Sequence, residues 1–476
     1  MTAEKAYLFR HALLRDAAYQ LQLPGDRARL HAIAFAVIEK LAGGPGPDIP
    51  PQESSRSVDV PPHPVDAFAE ELAEHAGLAL HAAAARGKAM LEARKHYLGR
   101  AAEYATRHFQ NQSSERLWQQ HSELVAGVEK GESLRRAGHA AFRAGGMGRA
   151  EPLLAQAVDV FREAGSPGGE AAALGYLGVL NNATGRVEQA QRFHEQALAI
   201  HRKLGDLGAV GMTLGSLANI YRQTGRVELA ERTHEEALAI HRQCGNRRTE
   251  GLEIGNLAGL HRETGRVEQA ERGYEEAMAL NREFHDRRAE GIGLGNLAGL
   301  YQELGRFDEA ERAYDAAIAI KREVGNMIGE GIVYGNLASL YQATGRATDA
   351  ERTYGRALAL HREVGNRRSE AIVMGNLASL YAETGRLDEA ESFYEAALAL
   401  HREVRSRRFE SLHLCQYALL MLTRGRVEAA RESWIQGFRM VLEIGDSRQA
   451  EIKLADMKQA CVRAGMPPFE VAQPTE

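Results

Sequence analysis

Asparagine recurs at intervals of forty residues in the middle of the chain, at Asn256, Asn296, Asn336 and Asn376. A carboxamide side chain offers both hydrogen-bond donors and an acceptor. An extended peptide carries matching groups along its backbone, so an evenly spaced row of carboxamides is suited to holding peptide main chain. A second interpretation stays open, in which each asparagine bonds to a neighbouring helix and fixes the pitch between repeats. Other residues stand at the equivalent positions Tyr176, Ser216 and Gln416.

Glycine precedes each of these asparagines and also stands one repeat earlier, giving the column Gly215, Gly255, Gly295, Gly335 and Gly375. Glycine inside a helix costs about 1 kcal/mol relative to alanine. Such a column indicates that a partner chain or an adjacent helix comes close to the backbone. Further polar side chains follow on the same face. The sequence therefore predicts a peptide-binding groove lined by Asn219, Arg222, Asn256, Arg262, Asn296, Gln302, Asn336, Gln342 and Asn376.

Signals for catalysis or metal binding are weak. His194 with His201, and His234 with His241, pair at i, i+7, but no carboxylate or cysteine completes a ligand set at a fitting spacing. The motifs HExxH, CxxC, GxSxG and GxxxxGK[ST] do not occur in the sequence. We therefore predict a protein that is not an enzyme and that uses no cofactor or metal.

A basic column also follows the forty-residue period, at Arg162, Arg202, Arg242, Arg282, Arg322, Arg362 and Arg402. Each arginine falls in the last turn of a predicted helix, where a cation suits the helix dipole. It can also pair with an early glutamate of the following helix, such as Glu290. We interpret the column as structural, and the many glutamates argue against nucleic acid as a partner.

The elements that position these columns come from an internal repeat. Glycine recurs with a spacing of forty at Gly145, Gly185, Gly225, Gly265, Gly305, Gly345, Gly385 and Gly425, and an alanine follows five residues after each. Ile254, Leu257, Ala258 and His261 lie at i, i+3, i+4 and i+7, which is one face of a helix. The turn glycine ends that helix, and an Asn or Asp near Gly245 or Gly325 caps the next one.

Small residues such as Ala258 and Ala270 indicate a close crossing of two helices within each unit. A second column holds His194, His234, Tyr274, Tyr314, Tyr354, Tyr394 and Trp434. We interpret it as core filler between repeats. One hairpin cannot bury its apolar face alone, so the sequence predicts stacked hairpins.

The spacing of Leu257-Ala258, His261 or Tyr301, Ala270, Tyr274 and Ala277 resembles the tetratricopeptide repeat (TPR), lengthened from 34 to 40 residues and without its closing proline. The longer unit is similar to the repeats of LGN-type polarity adaptors and kinesin light chains. The resemblance implies an all-α, right-handed superhelical solenoid whose first helices line a concave groove. It also implies that Asn256, Asn296, Asn336 and Asn376 hold a peptide main chain.

Length and composition agree with a globular, helical chain. The 476 residues are 44% hydrophobic and carry a net charge of −5, which gives no general attraction to nucleic acid or anionic membranes. Three scattered cysteines indicate free thiols in a reducing compartment. Because the sequence shows neither a signal peptide nor a long apolar run, we expect a cytoplasmic protein without a membrane span.

Residues Leu8 to Leu41 carry a second resemblance, through Phe9-Arg10-His11-Ala12, Ala17-Ala18-Tyr19 and Arg29-Leu30-His31. This stretch resembles the region that follows the ATPase in signal-transduction ATPases with numerous domains (STAND) and related cyclase- or kinase-linked bacterial regulators. The phosphate loop of that family is absent from the sequence. A generic amphipathic helix pair stays open as the other interpretation.

The expected organisation has six parts. They are a helical segment 1–42, a proline-rich linker 43–66, degenerate repeats 67–130, eight repeats 131–444, a capping helix 445–466 and a tail 467–476. The function expected first is a scaffold that binds a peptide or helical segment of a protein partner in the groove, in bacterial signalling or regulation. The alternative is a sensor arm of a STAND-type ATPase, cyclase or kinase system. The sequence contains nothing that supports a homo-oligomer.

Overall fold

The computed structural model describes residues 22–49, 60–80, 84–445 and 447–469, and the regular structure within them is helical. The chain divides into two compact units, Met1–Thr249 and Glu250–Glu476, with the division inside one helix. Residues Phe9-Arg10-His11-Ala12 and Ala17-Ala18-Tyr19, on which part of the STAND resemblance rests, lie outside the described residues.

Most of the α-helices up to the division begin at a regular spacing along the chain, and the first four are the exceptions. The helices of this part are, in chain order, α1 (Pro24–Leu41), a 3-10 helix (Pro64–Phe68), α2 (Ala69–Leu78), α3 (Ala84–Arg107), α4 (Asn111–Ser122), α5 (Gly127–Arg143), α6 (Met147–Glu163), α7 (Pro167–Ala183), α8 (Val187–Leu204), α9 (Leu207–Gln223), α10 (Val227–Gln243) and α11 (Arg247–Glu263).

The period continues to the end of the second unit. Its helices are α12 (Val267–Glu283), α13 (Arg287–Glu303), α14 (Phe307–Glu323), α15 (Met327–Ala343), α16 (Ala347–Glu363), α17 (Arg367–Glu383), α18 (Leu387–Glu403), α19 (Arg407–Thr423), α20 (Val427–Ile444) and α21 (Ser447–Arg463). From α5 to α20, odd-numbered helices are the first helices of the repeats and even-numbered helices are the second helices.

Each repeat forms two helices because its sequence places the residues that end one helix and cap the next at fixed positions. The turn glycines are left-handed, as at Gly305 with φ 72° and Gly345 with φ 74°. Asp or Asn side chains cap the next first helix, since Asp286 accepts a hydrogen bond from the Ala289 amide at 3.0 Å and Asn326 from the Gly329 amide at 2.9 Å. The capping predicted from the sequence is confirmed at these helices.

Within each unit, consecutive helices pack against each other around two buried columns. The alanines of the helix crossing are fully buried, as Ala190 and Ala310 show at 0% exposure. The aromatic column is also buried, including Tyr314, Tyr354 and Trp434. The all-α arrangement of stacked helix pairs is confirmed, and so is the role of this column as core filler.

The basic column pairs with early glutamates as predicted. Arg282 lies 2.6 Å from the carboxylate of Glu290, and Arg362 lies 2.9 Å from that of Glu370. Arg162, Arg322 and Arg402 pair in the same way with Glu170, Glu330 and Glu410. Arg202 differs, because its ion pair is with Glu236. These bridges tie each second helix to the following first helix.

The first part of the first unit has its own core, in which a buried arginine holds the described ends of the proline-rich stretch. Arg100 is 0% exposed and forms an ion pair with Asp66 at 2.6 Å. Its guanidinium also donates to the carbonyl oxygens of Pro47 and Pro61. Val60 and Val65 are buried beside it. The described residues on both sides of the stretch are thereby fixed to α3.

The end of the second unit contains a buried pair of imidazoles. Nε2 of His401 and Nδ1 of His413 are 3.0 Å apart, and both side chains are almost fully buried. Burial lowers the pKa of His401 to about 4, with Arg368 adding to the effect. Burial, His401 and Lys453 lower the pKa of His413 to about 3. Both rings are therefore neutral at pH 7. Beyond α21 the chain reaches Phe469, which is also buried.

Among the described helices, none combines the length and apolar character needed to cross a bilayer.

Replacing His285 with glycine should stabilise the second unit. His285 has φ 52° at a position where Gly325 and Gly365 stand in later repeats. A left-handed conformation costs an L-residue about 1–2 kcal/mol, and the greater freedom of unfolded glycine offsets part of that. We expect His285→Gly to raise the free energy of unfolding by about 1 kcal/mol in urea titrations. The control Gly325→Ala should lower it, and a loss of stability in His285→Gly would contradict the assignment of strain.

The histidine pair makes stability depend on pH. Because the folded pKa values lie below the ordinary value near 6.5, the unfolded chain binds more protons between about pH 6.5 and 4. The stabilisation is complete above that window and falls as pH drops through it, by up to about 1.4 kcal/mol per pH unit for each imidazole. The double variant His401→Asn, His413→Val takes residues found at equivalent positions of other repeats. Its melting temperature should fall less steeply between pH 7 and 4, and an unchanged slope would rule the pair out as a cause.

Candidate functional site

The first helices of the second unit form a layer of their own. Besides packing on its second helix, α13 contacts α15, α15 contacts α17, and α17 contacts α19. Side chains at equivalent positions of these helices therefore lie side by side in adjacent repeats. This layer carries most of the residues that the sequence predicts for the groove.

The asparagine column lies on the accessible side of this layer. Asn296 and Asn336 are exposed, and Asn256 and Asn376 are half-buried. Within the described part of the chain, none of these four carboxamides forms a hydrogen bond. The alternative in which each amide bonds to a neighbouring helix and fixes the pitch is therefore not seen there. The donors and acceptors of the column are left available to a ligand.

Exposed aliphatic side chains accompany the asparagines one helical turn earlier. Leu252, Ile292 and Ile332 are 48%, 49% and 47% exposed, and Ile372 is half-buried at the equivalent position. Together with Asn256, Asn296, Asn336 and Asn376 they form what we call the asparagine face. Sequence analysis missed the aliphatic part, although the same forty-residue spacing could have found it.

At some positions of the glycine column the neighbouring helix leaves no room for a side chain, and at others it does. A methyl group added at Gly295 or Gly335 would meet Val333 or Val373 at 3.8 Å, which is ordinary contact. At Gly375 the ring of His413 fills the space, since an added Cβ would lie 2.0 Å from it. Packing within the protein thus accounts for Gly375 and leaves Gly295 and Gly335 without a structural reason.

The remaining predicted groove residues of the second unit are engaged within the protein. Arg262 lies 3.3 Å from the Glu303 carboxylate and donates to the carbonyl oxygen of Asn296 at 3.4 Å. The amide of Gln342 donates to the Glu383 carboxylate at 2.8 Å. These contacts join neighbouring first helices and hold the asparagine face in register.

Buried tyrosines orient the glutamine side chains from below. The hydroxyl of Tyr314 donates to Gln302 and that of Tyr354 donates to Gln342, each at 3.1 Å. Burial raises the pKa of Tyr314 to about 12, so its hydroxyl keeps the proton that it donates. These hydrogen bonds fix the orientation of both glutamine carboxamides.

The two predicted groove residues of the first unit lie on α9. Asn219 is half-buried, and its amide donates to the carbonyl oxygen of Gly215 in the same helix at 3.1 Å. Arg222 is half-buried as well. The row of available carboxamides is therefore a feature of the second unit.

The described residues contain no cluster of three or more histidine, cysteine or carboxylate side chains that could hold a metal ion. His194 and His234, which pair with later histidines in the sequence, are buried members of the aromatic column. The chemistry available on the asparagine face is hydrogen bonding and apolar contact.

Two family models match the chain. One, described as tetratricopeptide repeat, matches residues 330–403 and 369–434, and the other, described as MalT-like TPR region, matches residues 136–323. Among curated proteins, no sequence matches.

Several solved structures are similar. A Rap protein complexed with competence and sporulation factor has 15% identity and a TM-score of 0.54, covering 73% of this chain and 97% of that one. The apo quorum sensor NprR from B. thuringiensis has 15% identity and a TM-score of 0.48, covering 72% and 96%. A STAND protein with a tetratricopeptide repeat sensor from Pyrococcus horikoshii has 14% identity and a TM-score of 0.46, covering 84% and 68%.

At these identities the Rap structure supports the fold and nothing further. The two family models, by contrast, account for most of the repeated region between residues 136 and 434. The chain therefore belongs to the tetratricopeptide repeat family.

Proposed function

We propose that this protein is a non-catalytic scaffold that binds an extended segment of a protein partner on the asparagine face. The observation that carries the proposal is the row of carboxamides that are accessible and form no hydrogen bonds among the described residues. A carboxamide pairs with both the N–H and the C=O of a peptide unit. Each repeat thus contributes one such contact to a peptide main chain.

Helix spacing matches the length of an extended chain. Packed helices lie about 8–10 Å apart, and an extended peptide advances about 3.3 Å per residue. Successive asparagines therefore meet the peptide at about every third residue. Ile292 and Ile332 follow the same spacing, which favours a segment with apolar residues at that interval. A helix rises only about 1.5 Å per residue, so in a helical segment the same distance would correspond to about six residues.

The charged side chains beside the asparagine face suit a partner that is recognised through its main chain. Arg262 is paired with Glu303, and Gln342 with Glu383, so the ionic groups beside the asparagine face already have partners. Binding that rests on amides and aliphatic contacts depends weakly on salt, because few counterions are displaced. The structurally similar Rap protein is itself a complex with competence and sporulation factor.

The alternative, a sensor arm of a STAND-type ATPase, cyclase or kinase system in bacterial signalling, is favoured by one observation. Helix α1 buries Phe35 but exposes Ile33, Val37 and Leu41 at 52%, 51% and 82%. An apolar face of this kind suits an effector module packed against it. An in-frame coding region for a phosphate loop upstream of Met1 would support this arm, and an unrelated upstream gene would oppose it.

Removing the carboxamides should weaken binding without harming the fold. Peptides selected from a random display library against the intact protein provide ligands for titration calorimetry. We expect Asn296→Ala and Asn336→Ala to weaken binding about fivefold each, since each removes the contact of one repeat with the peptide main chain. Melting temperatures should stay level or rise, because alanine is the better helix former.

Gln269→Ala is the matched control, since Gln269 is an exposed amide on a second helix. Its peptide affinity should equal that of the wild type. Unchanged affinity in both asparagine variants for peptides that compete with one another would overturn the proposal. A lower melting temperature with unchanged affinity would instead indicate that the asparagine column has a structural role.

Alanine in the glycine column should separate stability from binding. Gly295→Ala and Gly335→Ala should each raise the free energy of unfolding by about 1 kcal/mol, because the added methyl group meets only ordinary contacts. They should also weaken peptide binding, because the peptide backbone lies close to the glycines. Gly355→Ala on α16, where nothing lies within 4 Å, should stabilise equally and leave affinity unchanged. Equal affinity in all three variants would show that the peptide does not approach the glycines.

A further inference from the structure

A cavity of about 260 Å³ lies in the first unit. Its walls are the first helices α5, α7 and α9, and its floor comes from α8. Ala172, Val179 and Met212 give it an apolar lining, and His194 and His201 give it polar groups. Nothing in the proposed function uses this space.

The cavity lies where one position of the repeat holds a smaller side chain than in later repeats. His194 occupies the column that holds Tyr274 and Tyr314 in later repeats, and its ring packs onto Gly178, where an added Cβ would lie 2.5 Å away. Gly175, also in the lining, has nothing within 4 Å of the place a Cβ would take. Because Gly175 follows the glycine column, the shorter side chain of His194 is what distinguishes this lining from the repeats that hold tyrosine.

The two imidazoles of the floor are buried and have no partner among the described residues. His194 is 4% exposed and His201 is 7% exposed, and Nδ1 of His201 is buried without a hydrogen bond. At the equivalent place one repeat later, Nδ1 of His241 lies 3.1 Å from the hydroxyl of Thr249. Ala209 stands at the equivalent position beside His201. His194, which lines the cavity and forms no hydrogen bond among the described residues, is the imidazole with which a ligand can pair, and a ligand that supplies this hydrogen bond gains affinity.

The charged group of the wall is already neutralised. Arg135 forms a buried ion pair with Glu132 at 2.6 Å, and its guanidinium lies 5.2 Å from the centre of the Tyr176 ring. Burial lowers the pKa of His194 to about 4, so its ring is neutral at pH 7. An anionic ligand would therefore find the guanidinium of Arg135 already paired, and any charged ligand would lose its hydration.

We infer that the cavity is a binding site for an uncharged aromatic ring that carries a hydroxyl group, such as the phenol of a tyrosine side chain. The aliphatic lining and the Tyr176 ring suit the aromatic body. A hydroxyl both donates and accepts, so it can pair with a neutral imidazole in either tautomer. The claim that a peptide carries the phenol rests on the proposed function. The preference for an aromatic ring with a hydroxyl group rests on the cavity alone.

The test uses small probes and the whole protein. N-acetyl-tyrosinamide and N-acetyl-phenylalaninamide are titrated into protein with isotope-labelled histidine, and the imidazole resonances are followed by NMR. We expect saturable shifts of His194 and His201, with the tyrosine probe binding about fivefold more tightly because of one hydrogen bond. Equal affinities would overturn the role of the hydroxyl, and no saturable shift with either probe would overturn the site.

Two variants remove the cavity without removing the fold. His194→Tyr restores the residue that later repeats hold, so it should fill the space, keep the melting temperature and abolish the shift of His201. Gly175→Leu should also block the cavity, with Gly355→Leu as its control at an equally open position in the second unit. Probe binding that survives both blocking variants would overturn the site. Because the probes need no partner protein, a negative result here leaves the asparagine variants as an independent test of peptide binding.

Discussion

The structure depends on the close crossing of two helices at the alanine column. Ala270, Ala310, Ala350 and Ala390 are all fully buried, and a larger side chain at any of them would push the helices of a hairpin apart. Because this contact recurs every forty residues, each hairpin presents the same faces to the next one. The order of every other column follows from it, since equivalent side chains can form rows only if the hairpins repeat their geometry.

Because the alanine crossing gives every hairpin the same geometry, each surface of the repeat has its own role. The second helices and the starts of the first helices carry the Arg–Glu bridges, in which Glu290 and Glu370 are buried against Arg282 and Arg362. These bridges and the tyrosine hydroxyls satisfy the polar groups that would otherwise oppose stacking. On the asparagine face, the carboxamides of Asn296 and Asn336 instead form no hydrogen bond with any residue that the structure describes. The stacking of the hairpins explains most polar residues of the repeat, but it does not explain Asn296 and Asn336.

The sequence was sufficient for the fold and for part of the site. Helix ends, caps, the alanine crossing and the Arg–Glu pairs depend on neighbours that are close in sequence or fixed by the repeat, so their spacing predicts them. Gln302, Gln342 and Arg262 were expected in the groove, but their partners are Tyr314, Glu383 and Glu303. Which side chain they meet depends on the offset between adjacent first helices. The cavity in the first unit was missed for a similar reason, because the space beside His194, where later repeats hold tyrosine, depends on how the neighbouring helices pack.

The central claim is that the unpartnered carboxamides recognise peptide main chain, and side-chain amide NMR of the complex tests it most directly. With asparagine and glutamine side chains labelled, addition of a selected peptide should shift the amide signals of Asn296 and Asn336. It should also slow their hydrogen exchange, while Gln269 on the second helix stays unchanged. Shifts and protection confined to the second helices, with the signals of Asn296 and Asn336 unmoved at saturation, would contradict the account.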